Sequence, residues 1–570
     1  MRWLLVLFCF LGGCTPARID KGVLYTAGDW TLPPAYHGNP WSPGGVGVAA
    51  SYIYEPLFSY IPATNEYLPR LGQSFQESPD GRTLTVKLRR GARWHDGIPF
   101  TSRDVEITFL IGYLKNLEIW TYLDSIECPD EETVRFHWQK LSPTNRGQAL
   151  SEPITSAAHL FGKYRAGVLD LQKRHPRGSV IADETLQAES VVREVLFSDR
   201  PAMPVGTGPF SLERVTASDM ILQRFPDYYD VAQVHLSGVH LARWGSNQVI
   251  WAYLFAGQVD VISPALPDDV AHEAMRRNPR LRRVTPSDGS EIGLLLNCRR
   301  GPLAEPVVRQ AVASMLDRDL IRQLACAPAD APPAYSLGVV PSFASRWLDA
   351  KFLATLTPFR HDPEAARQQL LGAGWTVEQG KWRRGGETVT LEILAPAGYT
   401  DLALVAEATA AQMTRFGFPS EVRLVPNDLF GSLLADGKFD MAATFGGQMG
   451  RYVHPSAPLG AFFFPGSPLQ VASGLGEERE GVNTRELIEA LRLEMDPDKT
   501  RSLVARLASV QHRSLSFLPC YEKRLNIFVQ DGPRVTGWPP ASSPLWSAAP
   551  LGVESLYALL AARGLLREAP

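Results

Sequence analysis

Residues 387–427 read as strand, helix and strand in turn. The run "ETVTLEILAPAGY" is strand-like, "DLALVAEATAAQMTRFGF" sets Leu404, Ala408, Ala411 and Met413 at helical spacing before Gly417, and "SEVRLVPN" alternates through Val422 and Leu424, then Val425. Two strands joined through a helix come out parallel, so the pattern predicts an α/β protein with a largely parallel sheet. A second helix is expected over residues 302–326, with Val307, Ala311, Met315 and Leu316 on one face. The chain has 570 residues, 45% of them hydrophobic, which is material for more than one domain. No short repeat and no low-complexity linker divides it, so a row of independent beads is not the expected layout. The formal charge of -3 is spread without basic tracts, which excludes a nucleic-acid partner on electrostatic grounds.

The N-terminus sets a compartment. Arg2 is followed by "WLLVLFCFLGG", too short for the roughly 20 residues a membrane span needs but suited to a signal-peptide core. Small residues Gly12 and Gly13 precede Cys14, and "LGGC" resembles the lipobox of bacterial lipoproteins. That resemblance implies a signal peptide over 1–13, acyl chains on Cys14 and a short tether over 14–19. No later stretch is long and apolar enough to span a bilayer. Beyond Cys9 and Cys14 stand Cys128, Cys298, Cys326 and Cys520, with no C-x-x-C pair to suggest zinc. Disulfides and buried free thiols both remain open for them.

One segment invites a catalytic reading. In "TLTVKLRRGARWHDGIPFTSRDVEITF", His95 stands beside Asp96. Alternation of Leu84, Val86 and Leu88 with polar residues predicts a half-buried strand, and Asp96-Gly97 a turn. Thr101 and Asp104 have capping-box spacing, and Val105, Phe109 and Tyr113 continue as a helix. Adjacent residues at a strand end point apart, which is poor geometry for a dyad. None of the 11 histidines has the spacing of a metal pair, so His95 is expected to be scaffold and no metal site is expected. No nucleophile motif appears either, and the chain is expected to be no enzyme and to need no cofactor.

This segment resembles the signature region of the family 5 extracellular solute-binding proteins, receptors of ABC importers for peptides, nickel and oligosaccharides. Other stretches resemble that family in order: "YIYEPLFSYIPATNEYLPRLGQSF", "PVGTGPFSLERV", "FPDYYD", "PVVRQAVASMLDRDLI", "HDPEAARQQLLGAGW" and "ADGKFDMAATFGG", together spanning about residues 50–450. The resemblance implies a two-lobe periplasmic-binding-protein-like fold of class II type with an additional β-rich inserted domain. It places lobe I at 20–51, 190–285 and 515–570, the insert at 52–189 and lobe II at 286–514. Residues 142–203 match the family poorly, and "GKYRAGVLDLQKRHPRGS" reads as an elaborated surface loop.

Such receptors bind a solute between lobes and pass it to a permease without making bonds. The resemblance therefore implies a monomer on the extracytoplasmic side, at the periplasmic face if the cell is Gram-negative, that takes a peptide-like or other polar solute. A ligand-sensing lipoprotein and an oligosaccharide receptor are the alternatives. In oligopeptide-binding members, the segment after the "FDM" strand holds an aspartate that pairs with the ligand's ammonium group. Here the matching stretch, "FGGQMGRYVHPSAP", puts Arg451 at that place, reversing the charge and favouring an anionic or an uncharged polar ligand group. Candidate ligand residues are Gly446, Gly447, Gln448, Arg451, Tyr452 and His454, with Asn297. Trp30 and Trp41, in the Gly/Pro-rich loop "GDWTLPPAYHGNPWSPGG", are candidate stacking platforms.

Overall fold

The computed structural model describes residues 20–42, 44–174, 183–244, 246–264, 266–450, 452–479 and 481–570. Cys14 and Arg451 lie outside them.

The strand, helix and strand of residues 387–427 form as expected. The elements are Leu391–Pro396, Thr400–Phe416 and Ser420–Val425, and Gly417 closes the helix at φ 110°. The helix buries Leu402, Val405, Ala406, Thr409, Ala410 and Met413, a stripe rotated from the one the sequence suggests, while Ala411 is exposed. These elements belong to a five-stranded sheet ordered Ser420–Val425, Leu391–Pro396, Met441–Gln448, Ser287–Leu296, Phe517–Arg524. Four of its strands point the same way and one, Ser287–Leu296, is reversed. Leu391–Pro396 runs parallel to both its neighbours, whereas Ser287–Leu296 is antiparallel to both of its own. The reason lies in connectivity: Ser287–Leu296 enters from the other half of the molecule, whereas Phe517–Arg524 follows helix Pro497–Ser514 and leaves the sheet for the other half. Both faces of this sheet are buried, as alternation along a strand requires. Leu294 and Ile393 pack into one apolar cluster, and their neighbours Leu295 and Leu394 into another.

A second sheet pairs Val23–Gly28 in parallel with Gly238–Arg243, then adds Asp219–Arg224 and Phe210–Val215 antiparallel. The chain passes between the two halves twice, at residues 285–286 and 525–526, just beyond the paired strands Leu281–Val284 and Ile527–Gln530. At the molecule's edge, the Lys21 ammonium donates to the Pro570 carbonyl at 2.9 Å.

The β-rich part is an all-antiparallel sheet ordered Gly72–Glu77, Thr83–Leu88, Thr133–Trp138, Leu123–Asp130. Helix Ser102–Leu114 packs on it and starts with the expected capping box of Thr101 and Asp104. Its core is continuous with that of the second sheet, since Val86, Phe109 and Phe136 share one cluster with Leu24, Phe210 and Leu241.

Two further expectations need correction. Residues 302–326 are two helices, Pro306–Met315 and Arg318–Ala325, because Leu316 turns extended and the Asp317 side chain caps the second by accepting from the Leu320 N–H at 3.0 Å. The stretch read as a surface loop contains helix Arg165–Arg174, anchored by buried Val168 and Leu171. Cys128, Cys298, Cys326 and Cys520 are all free, and burial pushes the Cys520 thiol up to about 12. Among the described residues, no helix is long and apolar enough to cross a membrane.

Candidate functional site

A cavity of about 880 Å³ opens beside the second sheet. Its walls come from four stretches, the loop at residues 29–47, the segment from Ala50 to Tyr60, residues 151–155 and residues 548–559, together with the single residues Arg70 and Arg243.

The loop is nailed down by side chains that its composition supplies. Asn39 Nδ2 donates to the carbonyls of Leu196 (2.7 Å) and Asp199 (2.8 Å), and its Oδ1 accepts from the Trp41 N–H. Gly45 is required here, because a Cβ would come within 2.0 Å of the Asn39 carbonyl oxygen. Trp30 donates its indole N–H to the Thr216 carbonyl at 3.0 Å, and Trp41 to Ser156 Oγ at 2.8 Å. Both tryptophans line the cavity with their polar edges already bonded into the protein, and Trp30 is almost wholly buried.

The segment from Ala50 to Tyr60 contributes a buried ion pair. Glu55 is bonded to Arg70 and also accepts from the hydroxyls of Tyr228 and Tyr229, each at 3.0 Å. The carboxylate thereby holds the Arg70 guanidinium firmly protonated. Sequence reasoning missed this pair. Its signal was an acid set among apolar residues in "YIYEPLF", which in a folded core demands a cation. A second, more solvent-facing pair joins Arg243 to Asp29 at 3.4 Å. Three hydroxyls belonging to wall residues, Tyr54 Oη, Ser151 Oγ and Thr155 Oγ1, are closed off from solvent and have no hydrogen-bond partner.

The other sequence candidates lie elsewhere. Gly446 and Gly447 sit on strand Met441–Gln448, where a Cβ would press to 2.8 Å from the Phe517 ring and 2.5 Å from the Pro458 carbonyl oxygen, so packing explains both. Gln448 is exposed and pairs with Ser290. Asn297 lies past the far end of strand Ser287–Leu296. It is buried, with Nδ2 spent on the carbonyls of Gly437 (3.0 Å) and Phe439 (2.8 Å). Tyr452 donates to Glu118 Oε2 at 3.0 Å, and Arg492 Nη2 donates to the same carboxylate at 2.9 Å, tying the five-stranded half to the β-rich part. His454 is buried against Ser456 Oγ at 2.7 Å, with Nε2 unpartnered; burial lowers its pKa to about 4. None of these six lines the cavity. Tyr60 comes from its wall to the other half, where its hydroxyl meets the Val453 backbone and the Arg346 guanidinium.

The His95–Asp96 pair is scaffold. His95 Nε2 bonds the Gly208 carbonyl at 3.1 Å, and Nδ1 accepts from the Gly206 N–H at 3.3 Å, more than a hundred residues away. Asp96 turns instead to His159 at 2.6 Å. Among the described residues, no group of three or more His, Cys, Asp or Glu side chains could hold a metal ion.

Solved structures share this architecture. A mannohexaose-bound periplasmic oligopeptide-binding protein of Thermotoga maritima superposes with a TM-score of 0.70 at 21% identity, covering 94% of this chain and 98% of that one. NikA of Brucella suis, in complex with Fe(III)-EDTA, gives 0.69 at 19% identity, covering 89% and 95%. At such identities the likeness shows the fold alone: a two-lobe α/β solute-binding-protein architecture. Residues 66–468 match the description "Bacterial extracellular solute-binding proteins, family 5 Middle", and the chain belongs to that family. Among its relatives are a Brucella ovis protein described as an ABC transporter peptide-binding protein, 27% identical over 59% of this chain, and the glutathione-binding protein GsiB of Salmonella choleraesuis, 24% identical over 63%. The matched stretches span 57% and 63% of those relatives' own lengths.

Proposed function

We propose that this chain is the solute-binding component of an ABC importer, capturing a polar small molecule and presenting it to a permease. The observation that carries the reading is a preformed cavity of about 880 Å³ in a member of this family, a size within the roughly 300–1,000 Å³ of small-molecule sites. Relatives described as peptide- and glutathione-binding support transport of a small solute. Two crossovers between the halves supply a hinge, and a ligand that touches both halves would favour the closed form by its extra contacts there. The proposed division of lobes is 20–51, 190–285 and 515–570 against 286–514 with 52–189 inserted; its first boundary falls at the 285–286 crossover, whereas the crossover at 525–526 would move strand Phe517–Arg524 from lobe I to lobe II. The protein acts as a monomer, makes no covalent change in its cargo, and is held outside the cytoplasm by acyl chains on Cys14. Arg451 remains a proposed ligand contact on the second lobe.

The test is mass spectrometry of small molecules released by denaturing the purified protein, with small-angle scattering before and after release. A defined solute and a compaction that depends on it are expected. A cavity that retains nothing, in a protein whose scattering no solute changes, would reject the reading.

A further inference from the structure

We infer that the end of lobe I farthest from the crossovers is a docking surface for a membrane, where arginines meet the phosphates of anionic phospholipids. This rests on the acyl-anchor reading above and adds which face the anchored chain turns to the bilayer.

Strand registers define that end. Strands Val23–Gly28 and Gly238–Arg243 start together, with Val23 opposite Gly238. Strand Asp219–Arg224 finishes beside them, and the Arg224 N–H donates to the Ser237 carbonyl at 2.9 Å. Leu281–Val284 starts at the same end, because Leu281 is opposite Gln530 while Val284 and Ile527 lead to the crossovers. Asn278 Nδ2 donates to Gln530 Oε1 at 2.5 Å, and the Gly22 N–H donates to the Arg534 carbonyl at 3.1 Å, joining the two groups of strands. Strand Arg567–Glu568 completes the end by pairing with Val535–Thr536. The described chain also starts here, at Asp20. The proposed tether and this surface therefore share one end of the molecule.

This end collects cations. Charge is spread over most of the chain, but residues 276–283 hold five arginines and no acid. Arg276 and Arg277 are exposed and share the single carboxylate of Glu273, which leaves one charge over. Arg282 is matched by Asp531, and Arg283 by Asp268. Arg280, Arg563 and Arg567 are exposed and, among the described residues, have no carboxylate partner. Arg224 is exposed too and bonds only the neutral Val234 carbonyl, at 2.9 Å. Asp20, Asp227 and Glu568 oppose these cations and are fewer. The excess is local, since the whole chain has a formal charge of -3.

That composition suits a phospholipid surface. A guanidinium pairs two N–H groups with phosphate oxygens, and each uncancelled cation within a Debye length of an anionic bilayer strengthens binding several-fold. Leu565, exposed between Arg563 and Arg567 in sequence, supplies an apolar side chain next to the charges.

The experiment is co-sedimentation of the Cys14→Ala protein, which has no acyl chain, with phosphatidylcholine vesicles that contain either no phosphatidylglycerol or about one-third of it. The protein should sediment with the anionic vesicles at least tenfold more tightly than with the neutral ones. About 1 M salt, which cuts the Debye length to about 3 Å, should abolish the difference. Arg280→Gln, Arg563→Gln and Arg567→Gln combined should weaken anionic binding roughly tenfold or more with melting unchanged, since none of the three holds an ion pair. Arg360→Gln, Arg415→Gln and Arg506→Gln, which remove three exposed cations of the five-stranded half, should leave it as it was. Equal losses from both triple variants would reduce the effect to net charge and overturn the surface. Equal binding to both kinds of vesicle, or binding to neither, would overturn it as well. Solute release and membrane fractionation of the unmodified sequence are separate measurements, so those failures leave the receptor and anchor readings standing.

Discussion

His95 joins two loops by acting as donor and acceptor at once, and that role fixes its protonation. Its ring is buried edge-on against Phe225, 4.8 Å between centroids, and burial lowers its pKa from 6.5 to about 4. The unfolded chain therefore takes up a proton between those values that the folded chain refuses. Stability is fully present above pH 6.5, falls as the pH drops through this window, and levels off below about 4, where both states are protonated. His454, lowered to about 4 as well, adds to the same slope. Denaturant melts at intervals from pH 7 to 4 should show that fall, and His95→Gln should flatten part of it. Replacing His95 by Ala should cost about 2 kcal/mol of unfolding free energy, because it leaves the buried Gly206 N–H and Gly208 carbonyl unpaired. Ligand affinity, measured by titration, should stay the same. A large loss of affinity at unchanged stability would contradict the scaffold role.

Between elements, the contact that joins the five-stranded half to the β-rich part centres on Glu118. It accepts from Tyr452 and Arg492, and Arg492 also donates to the Tyr122 hydroxyl at 2.9 Å. Glu118 is about half exposed, so solvent screens these bonds and Glu118→Ala should cost less than about 1 kcal/mol overall. Its effect should instead be local: faster amide hydrogen exchange in residues 118–122 and 484–493, read by mass spectrometry, with the rest of the chain unchanged. What was legible at this scale followed from periodicity. Strand Thr83–Leu88 and its capped helix could be read because their patterns are local. The break at Leu316 was hidden because apolar spacing runs across it without interruption, although Asp317 carried the cap signal. The cavity was hardly legible at all. Trp30 and Trp41 announced themselves by composition, but Tyr54, Ser151, Thr155 and Ser555 meet through tertiary packing that no window of sequence contains.

For the whole molecule, the resemblance carried the fold and the family, while the one reversed strand, Ser287–Leu296, enters the sheet from the other half, which local strand–helix alternation does not reveal. The proposed anchor makes a simple prediction at this scale. Cys14→Ala should move the protein from the membrane pellet to the soluble fraction after lysis, as followed by immunoblot; continued sedimentation with membranes would remove the lipoprotein claim. Five residues, 15–19, lie between that cysteine and the first described residue, Asp20, and the stretch from Cys14 to Asp20 reaches at most about 20 Å. Because Lys21 grips the carbonyl of Pro570, the carboxyl end is moored beside the same point. A fluorophore fused after Pro570 would therefore ride close to the lipid headgroups, within energy-transfer range of a dye in the bilayer, and would report lift-off of the whole receptor directly.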